Sequence, residues 1–378
     1  MSTPTLTAAT TDDTSDARSA PGALGVERGF DDDLAAVESA IDEYFAVQAA
    51  RARAHGEDYR LLWSAARDGA AGGKRMRPRA VLASFRALAA ERHGPIPDAI
   101  AVAAAFELLH TAFLMHDDVI DHDDTRRGAP NVTGRFSTLA RSRGTDRTRA
   151  HLYGEASAIL AGDLLIAAAH RMVAGVATTQ VRRERLLDLF DECVFAAAAG
   201  EHADVRFSID ETPTVGDILA MIEHKTASYT FSAPLQAGAI LAGADARVID
   251  ALGDLGRDLG VAFQLRDDVL GVFGEERVTG KTAIGDLREG KQTLLIARAR
   301  TDAAWAGVAG DFGRADLDER GADAIRAVIV SSGALALVED LIDARRRAAV
   351  DVAEQSGMPR SLVAEIAALA HACGERNR

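Results

Sequence analysis

The sequence predicts an all-α protein, a single large helical bundle. Three observations carry that reading. Alanine and leucine are plentiful, aromatics make up only 5% of the chain, and β-branched runs are short, all of which favours helix. Apolar residues recur at helical spacing through successive segments. Neither an alternating strand run nor an Asn-Gly hairpin interrupts them. A chain of 378 residues, 48% of them hydrophobic, can bury a large core. No Pro/Ser linker divides it after Val26, so residues 27–378 are expected to form one domain.

The elements follow in order. Residues 1–26 are rich in Ser, Thr, Asp, Gly and Pro without apolar periodicity, the composition of a disordered tail. From Asp31 to Ala54 the apolar positions lie on one helical face. Leu61–Arg67 reads as a short helix and Gly69–Pro78 as a flexible basic loop. Pro78 suits the first turn of the next helix, read over Arg79–Arg92. After a turn at Gly94–Pro97, an apolar helix runs from near Ile100 to Asp121. Arg126–Asn131 reads as a basic loop and Thr138–Arg149 as a polar, mobile stretch. Long helices are expected over Ala150–Val173, Glu184–Phe207 and Ala246–Val272. Shorter ones are expected over Val215–Lys225 and Tyr229–Leu241. Phe273–Gly290 reads as a polar loop. Helices over Lys291–Arg300, Gly321–Ala348 and Ser361–Cys373 complete the set.

A net charge of −14 leaves no basic face to neutralise a nucleic-acid backbone. Any phosphate ligand must be met by local cations or by a metal. Cys193 and Cys373 lie far apart without ligand spacing, which fits a reduced, cytoplasmic setting rather than a disulfide framework or zinc site. No uninterrupted apolar run looks long enough to span a bilayer, and no secretory signal pattern opens the chain. Of the 43 basic residues only four are lysine: Lys74, Lys225, Lys281 and Lys291. Lysine is a compact point charge suited to a phosphate oxygen, and arginine is not its equivalent.

The stretch His110–Asp121 closes an almost wholly apolar helix with Asp117, Asp118 and Asp121. Asp117 and Asp121 are one turn apart on one face. Acids rooted in a buried helix need a counter-charge, and hard oxygen donors suit Mg²⁺ shared with a ligand's phosphates. Taken alone, the motif fits a solvated helix end equally well. A second acidic site, Asp267 and Asp268 in Phe263–Gly271, also lies near the end of a long apolar helix. Acid clusters on separate helices of a bundle can face each other and hold metal. The loop behind the second site carries Lys281 and Lys291 among glycines. It is not a P-loop, because the glycine spacing and the preceding strand are missing.

With these blocks in order, the chain resembles the trans-polyprenyl diphosphate synthases, the farnesyl and geranylgeranyl diphosphate synthase family. The resemblance rests on Gly73–Pro78, on Glu107–His110 leading to Asp117–Asp121, on Arg126–Gly128, on Lys225-Thr226, and on Phe263-Gln264 with Asp267-Asp268 and the following Gly-Lys loop. All four lysines fall inside these blocks. Two departures stand out. The second acidic motif often closes with a third aspartate in the family, and here that position is Gly271. A Gly-Gln pair common in a mid-chain helix is Gly200-Glu201 here, followed by Asp204.

The resemblance implies a Mg²⁺-dependent prenyltransferase, a homodimer, that joins isopentenyl diphosphate to an allylic diphosphate around a central active-site cavity. Ionisation of the allylic substrate is the costly step, and metal ions with fixed cations would stabilise the leaving diphosphate. By carry-over, Asp117, Asp121 and Asp267 hold the metals, with Asp118 and Asp268 assisting. Arg126, Lys225, Gln264 and Lys281 face the allylic diphosphate, joined by Lys291, and Thr226 shapes the pocket around the cation. Lys74, Arg77, His110 and Arg127 hold isopentenyl diphosphate. His110 lies two turns before Asp117 on the same face; without the surrounding blocks it would read as a hydrogen-bonded core histidine. Arg75 is the least supported of the loop cations.

The growing product would run back along the helix, so residues one turn before Asp117 form its floor. Phe113 lies about 6 Å back along the axis, and Ala112 beside it is small. In the family, bulk at both positions shortens the product. One large and one small residue point to C20 geranylgeranyl diphosphate, with C15 farnesyl diphosphate next. Two other functions compete. A class I terpene cyclase would not need Lys74, Arg77 and His110. A non-catalytic modulator of an active synthase would not need intact first aspartates and all four placed lysines.

Overall fold

The computed structural model describes residues 22–89, 97–209, 212–274 and 284–374. The predicted all-α architecture holds. The helices are α1 (Gly22–Ala52), α2 (Glu57–Ala70), α3 (Met76–Leu88), α4 (Pro97–Ile120), α5 (Val132–Ser142), α6 (Arg147–Ala174), α7 (Gln180–Ile209), α8 (Val215–Ile222), α9 (Ala233–Ala242) and α10 (Ala246–Phe273). They continue with α11 (Gly285–Glu289), α12 (Leu294–Ala299), α13 (Glu319–Ser331), α14 (Ala334–Gln355) and α15 (Arg360–Gly374). The tail expected over residues 1–26 falls largely outside the described residues, but α1 begins at Gly22, earlier than the expected boundary.

α4 sits at the centre. Ala103, Ala104, Ala105, Leu108, Leu109 and Ala112 are wholly enclosed, and the helix packs on α1, α3 and α6. Small alanines let neighbouring helix axes approach closely while leucines fill the gaps. By length and composition α4 and α6 could each cross a membrane, contrary to the expectation that no run is long enough. Most of the apolar surface of α4 is instead buried among its neighbours, which is what a core helix requires.

Four local readings needed correction. The polar loop read over Phe273–Gly290 contains the short helix α11 at Gly285–Glu289. Thr138–Arg149 is not a mobile stretch: most of it lies in the amphipathic α5 and the start of α6. Asn131 caps α5 by accepting from the Gly134 N–H at 2.9 Å, and Asp146 caps α6 through Arg149. Such caps satisfy amide donors that a helix start leaves open. The basic loop at Arg126 is a two-stranded ribbon, β1 (Thr125–Arg126) paired antiparallel with β2 (Ala129–Pro130). Arg127 and Gly128 both have positive φ, 54° and 75°, the signature of the tight hairpin turn that matches strand twist. The segment expected as one helix over Gly321–Ala348 breaks into α13 and α14 at Gly333, which adopts φ 75°.

Between α8 and α9 the chain does not break. Glu223–Ser232 winds as a π-helix, so α8, this segment and α9 form one continuous rod. π-turns are rare and concentrate at functional sites. Glycines on both flanking helices admit the wide coil. A Cβ at Gly200 of α7 would lie 2.2 Å from the Lys225 nitrogen. On α10, a Cβ at Gly256 would lie 2.5 Å from Ser232 Cα, and one at Gly260 would lie 2.3 Å from Ala227 Cα. No side chain fits at those contacts.

Candidate active site

The two acidic helix ends both meet the π-helix. Asp117 and Asp121 share the inner face of α4 with His110 and Phe113, at helical spacings of three, four and seven. Asp118 is buried beside them. On α10, Gln264, Asp267, Asp268 and Gly271 share a face by the same rule. Lys225 and Thr226 connect the two sets. The Lys225 ammonium lies 3.5 Å from Asp117. The adjacent Thr226 hydroxyl donates to Gln264 Oε1 at 2.9 Å. Gln264 Nε2 in turn donates to Asp268 Oδ1 at 2.9 Å. A continuous polar path therefore runs from one acid cluster to the other.

The counter-charges are local. The tight turn of the ribbon returns Arg126 to the end of α4, where its Nε donates to Asp118 Oδ1 at 2.7 Å and its Nη2 to Asp117 Oδ2 at 3.1 Å. Lys225 also pairs with Asp204 at 2.7 Å and Glu201 at 2.9 Å, both on α7. Burial opposes its charge, but the carboxylates of Asp204, Asp117 and Glu201 outweigh that and hold the ammonium well above its ordinary range. Lys291 stands 3.9 Å from Asp268. Asp286 does most to hold its charge on, against burial, and Asp268, Asp204 and Asp117 add to it.

Even so, negative charge is in excess. Burial pushes Asp118 up to about 6, only partly offset by Arg126. Burial, then Asp117, push Asp121 up to about 7, with Glu289 adding and Lys225 and Lys291 opposing. Burial pushes Asp268 up to about 6, moderated by Lys291 and the Gln264 hydrogen bond. Asp267, next to it, is half-buried. A divalent cation would relieve this crowding. The donors are carboxylate oxygens throughout, the chemistry of Mg²⁺ rather than of a thiolate or imidazole site.

A second, basic group adjoins the first. Arg77 is 7% exposed. Its Nη2 donates to Thr230 Oγ1 at 2.8 Å, and its guanidinium lies 4.6 Å from the Tyr229 ring centre. Among the described residues its Nε is buried without a hydrogen-bond partner, an exception that calls for a reason. The Tyr229 hydroxyl lies 3.4 Å from His110 Nδ1. Burial, then Arg77, Arg126, Arg127 and Arg75, hold His110 well below its usual range. It is therefore a neutral imidazole among guanidiniums, a setting that suits an anion. Arg127 donates to the Ala71 carbonyl at 2.9 Å, which brings it against Gly72 and Gly73, and Lys74, next in the chain, is exposed.

Arg75 has a different task. It adopts a left-handed backbone, φ 51°, unusual for a residue with a Cβ. Its guanidinium points inward, donating to Glu38 of α1 at 2.8 Å and to Glu107 of α4 at 2.6 Å. It pins the loop between Lys74 and Arg77. Glu107 is 5% exposed, and breaking so buried a pair costs about 3–5 kcal/mol.

Of the expected residues, Lys281 lies outside the described residues. Asp117, Asp118, Arg126, Lys225, Thr226, Gln264, Asp268 and Lys291 are joined by the contacts above, Asp121 feels the charges of Asp117, Lys225 and Lys291, and Arg77, His110 and Arg127 form the neighbouring group. Phe113 is partly buried, with its ring edge-on to Tyr229 at 4.9 Å, while Ala112 is fully enclosed. Tyr229, Thr230 and Asp286 were not anticipated. Tyr229 and Thr230 follow Lys225-Thr226 by one turn, the spacing that would have pointed to them.

Residues 60–306 match the family described as Polyprenyl synthetase. A geranylgeranyl diphosphate synthase of Methanosarcina mazei is 36% identical over 229 residues, which is 61% of this chain and 64% of that relative, so the match spans slightly under two thirds of its length. A (2E,6E)-farnesyl diphosphate synthase of Mycobacterium tuberculosis is 33% identical over 320 residues, 79% of this chain and 78% of the relative. The solved geranylgeranyl pyrophosphate synthase of Corynebacterium glutamicum, complexed with isoprenyl diphosphate and magnesium, superposes with a TM-score of 0.85. It is 30% identical, covering 92% of this chain and 99% of that one. By this match, and by the order of its acidic and basic blocks, the chain belongs to the polyprenyl synthetase family.

Proposed function

We propose that this chain joins isopentenyl diphosphate to an allylic diphosphate in a Mg²⁺-dependent reaction and that its main product is C20 geranylgeranyl diphosphate. The observation that carries the reading is the pairing of two groups. Acid faces linked through Lys225-Thr226 stand beside a distinct Arg77–His110–Tyr229 group with an unsatisfied buried donor. Two diphosphates need two such places.

Asp117, Asp121 and Asp267, with Asp118 and Asp268 assisting, would hold Mg²⁺, which supplies Lewis-acid stabilisation of a departing diphosphate when bound. Arg126, Lys225, Lys281 and Lys291 offer fixed positive charge to the same leaving group, stabilising charge that grows as the allylic C–O bond breaks. Lys74, Arg77, His110 and Arg127 position isopentenyl diphosphate, whose double bond forms the new C–C bond before a proton is lost. Gln264 and Thr226 fix the distance between the two acid faces. Purified protein with Mg²⁺, isopentenyl diphosphate and C5, C10 or C15 allylic primers tests the reading directly. No consumption of isopentenyl diphosphate with any primer would defeat it.

The length of the product would be set on α4. Phe113→Ala removes the ring that packs on Tyr229 and is expected to shift products beyond C20. Ala112→Phe is expected to shift them toward C15. Chromatography of the dephosphorylated products reads both, and an unchanged distribution would rule out the floor.

A homodimer belongs to the same reading. Leu152, Ile159 and Leu160 of α6 and Val181 and Phe195 of α7 are exposed, Phe195 at 73%. Apolar patches of this kind mark association surfaces. Phe195→Asp is expected to turn a dimer into a monomer by light scattering; a native monomer would refute this part. Both cysteines are buried free thiols, in keeping with a cytoplasmic setting.

A further inference from the structure

The position on α10 that would carry a third acid is Gly271, and a carboxylate from elsewhere in the chain stands over it. A Cβ built there would lie 2.0 Å from Oδ2 of Asp286 and 3.3 Å from its Oδ1. Carbon and oxygen cannot approach so closely, so the space is already taken by a carboxylate from elsewhere in the chain. Gly271 follows Asp267 and Asp268 at helical spacing and faces the same way.

The segment carrying Asp286 is built to return there. α11 ends at Gly290, which takes the left-handed φ of 71°. The turn brings the Lys291 N–H back onto the Asp286 carbonyl at 3.0 Å. This closure at a helix C-terminus favours glycine, which adopts positive φ without strain. As a result Lys291 folds over its own acidic neighbour and reaches Asp268. Asp286 thus stands against Gly271 at the end of the α10 acid row, and its charge acts with that of Asp268 on Lys291.

We propose that Asp286 is the third carboxylate of the second acidic cluster, supplied by α11 in place of a side chain at position 271, and that it serves the Mg²⁺ held by α10. This rests on the prenyltransferase reading above. The donor is moved from the helix to the segment behind it. The chain keeps three acids on this side of the site, and the metal contact is made by a short helix whose closing turn leads into Lys291.

The test is a swap, read by calorimetry with Mg²⁺ and inorganic pyrophosphate and without turnover. Asp286→Asn should raise the Mg²⁺ concentration needed for half-maximal pyrophosphate binding by about 10–100-fold, and saturating Mg²⁺ should restore the binding. Gly271→Asp alone should impair binding because two carboxylates then contend for one space. Gly271→Asp combined with Asp286→Ala should return the Mg²⁺ requirement toward the native value. Circular dichroism melts establish that each variant is folded. An Asp286→Asn protein with the native Mg²⁺ requirement overturns the proposal alone, as does a loss that saturating Mg²⁺ fails to repair, which would mark Asp286 as a partner of Lys291 only. Failure of the native protein to bind pyrophosphate with Mg²⁺ overturns the prenyltransferase reading as well.

Discussion

Asp117→Ala is expected to lower turnover by on the order of 10³-fold, the scale at which loss of one preorganised charge-stabilising group acts on a transition state. Asp117 is the acid of α4 that faces both Arg126 at 3.1 Å and Lys225 at 3.5 Å. Its removal takes away a metal donor and also frees the two cations to swing toward their other partners. The fold should survive. The buried Asp118 keeps its hydrogen bond to Arg126, and Lys225 keeps Asp204 and Glu201. Steady-state rates at saturating Mg²⁺, beside an unchanged melting curve, check this. A variant that retains most native activity would remove Asp117 from the metal-holding set.

Arg77→Ala should act on one substrate and spare the other. A charge-assisted hydrogen bond contributes about 1.5–3 kcal/mol, so the KM for isopentenyl diphosphate is expected to rise by about 10–100-fold. The KM for the allylic substrate should change little. Arg77→Lys keeps the charge but loses the planar group lying over Tyr229 at 4.6 Å, and it should fall between the two. Separate titration of each substrate distinguishes the outcomes. Equal losses for both substrates would place Arg77 outside a dedicated isopentenyl diphosphate site.

Most of the fold was legible because helix depends on local signals. Apolar periodicity marked the long α4, α6, α7 and α10, and the acid and lysine blocks drew attention to their own segments. What stayed hidden depends on distant partners. α5 looked polar because one face meets solvent, while Val132 and Phe136 are buried on the other. The ribbon needs only four paired residues and a turn, too few for an alternating pattern. Nothing local distinguishes a π-turn from an α-helix; the glycines that admit it lie on α7 and α10. The contact between Gly271 and Asp286 joins residues fifteen positions apart, and from sequence the glycine read only as a missing acid.

Lys225 and Thr226 are neighbours in the chain, yet the first reaches Asp117 on α4 and the second reaches Gln264 on α10. One peptide unit therefore acts as a caliper for the reaction centre. The gap between the facing acids cannot widen at one jaw without pulling on the other.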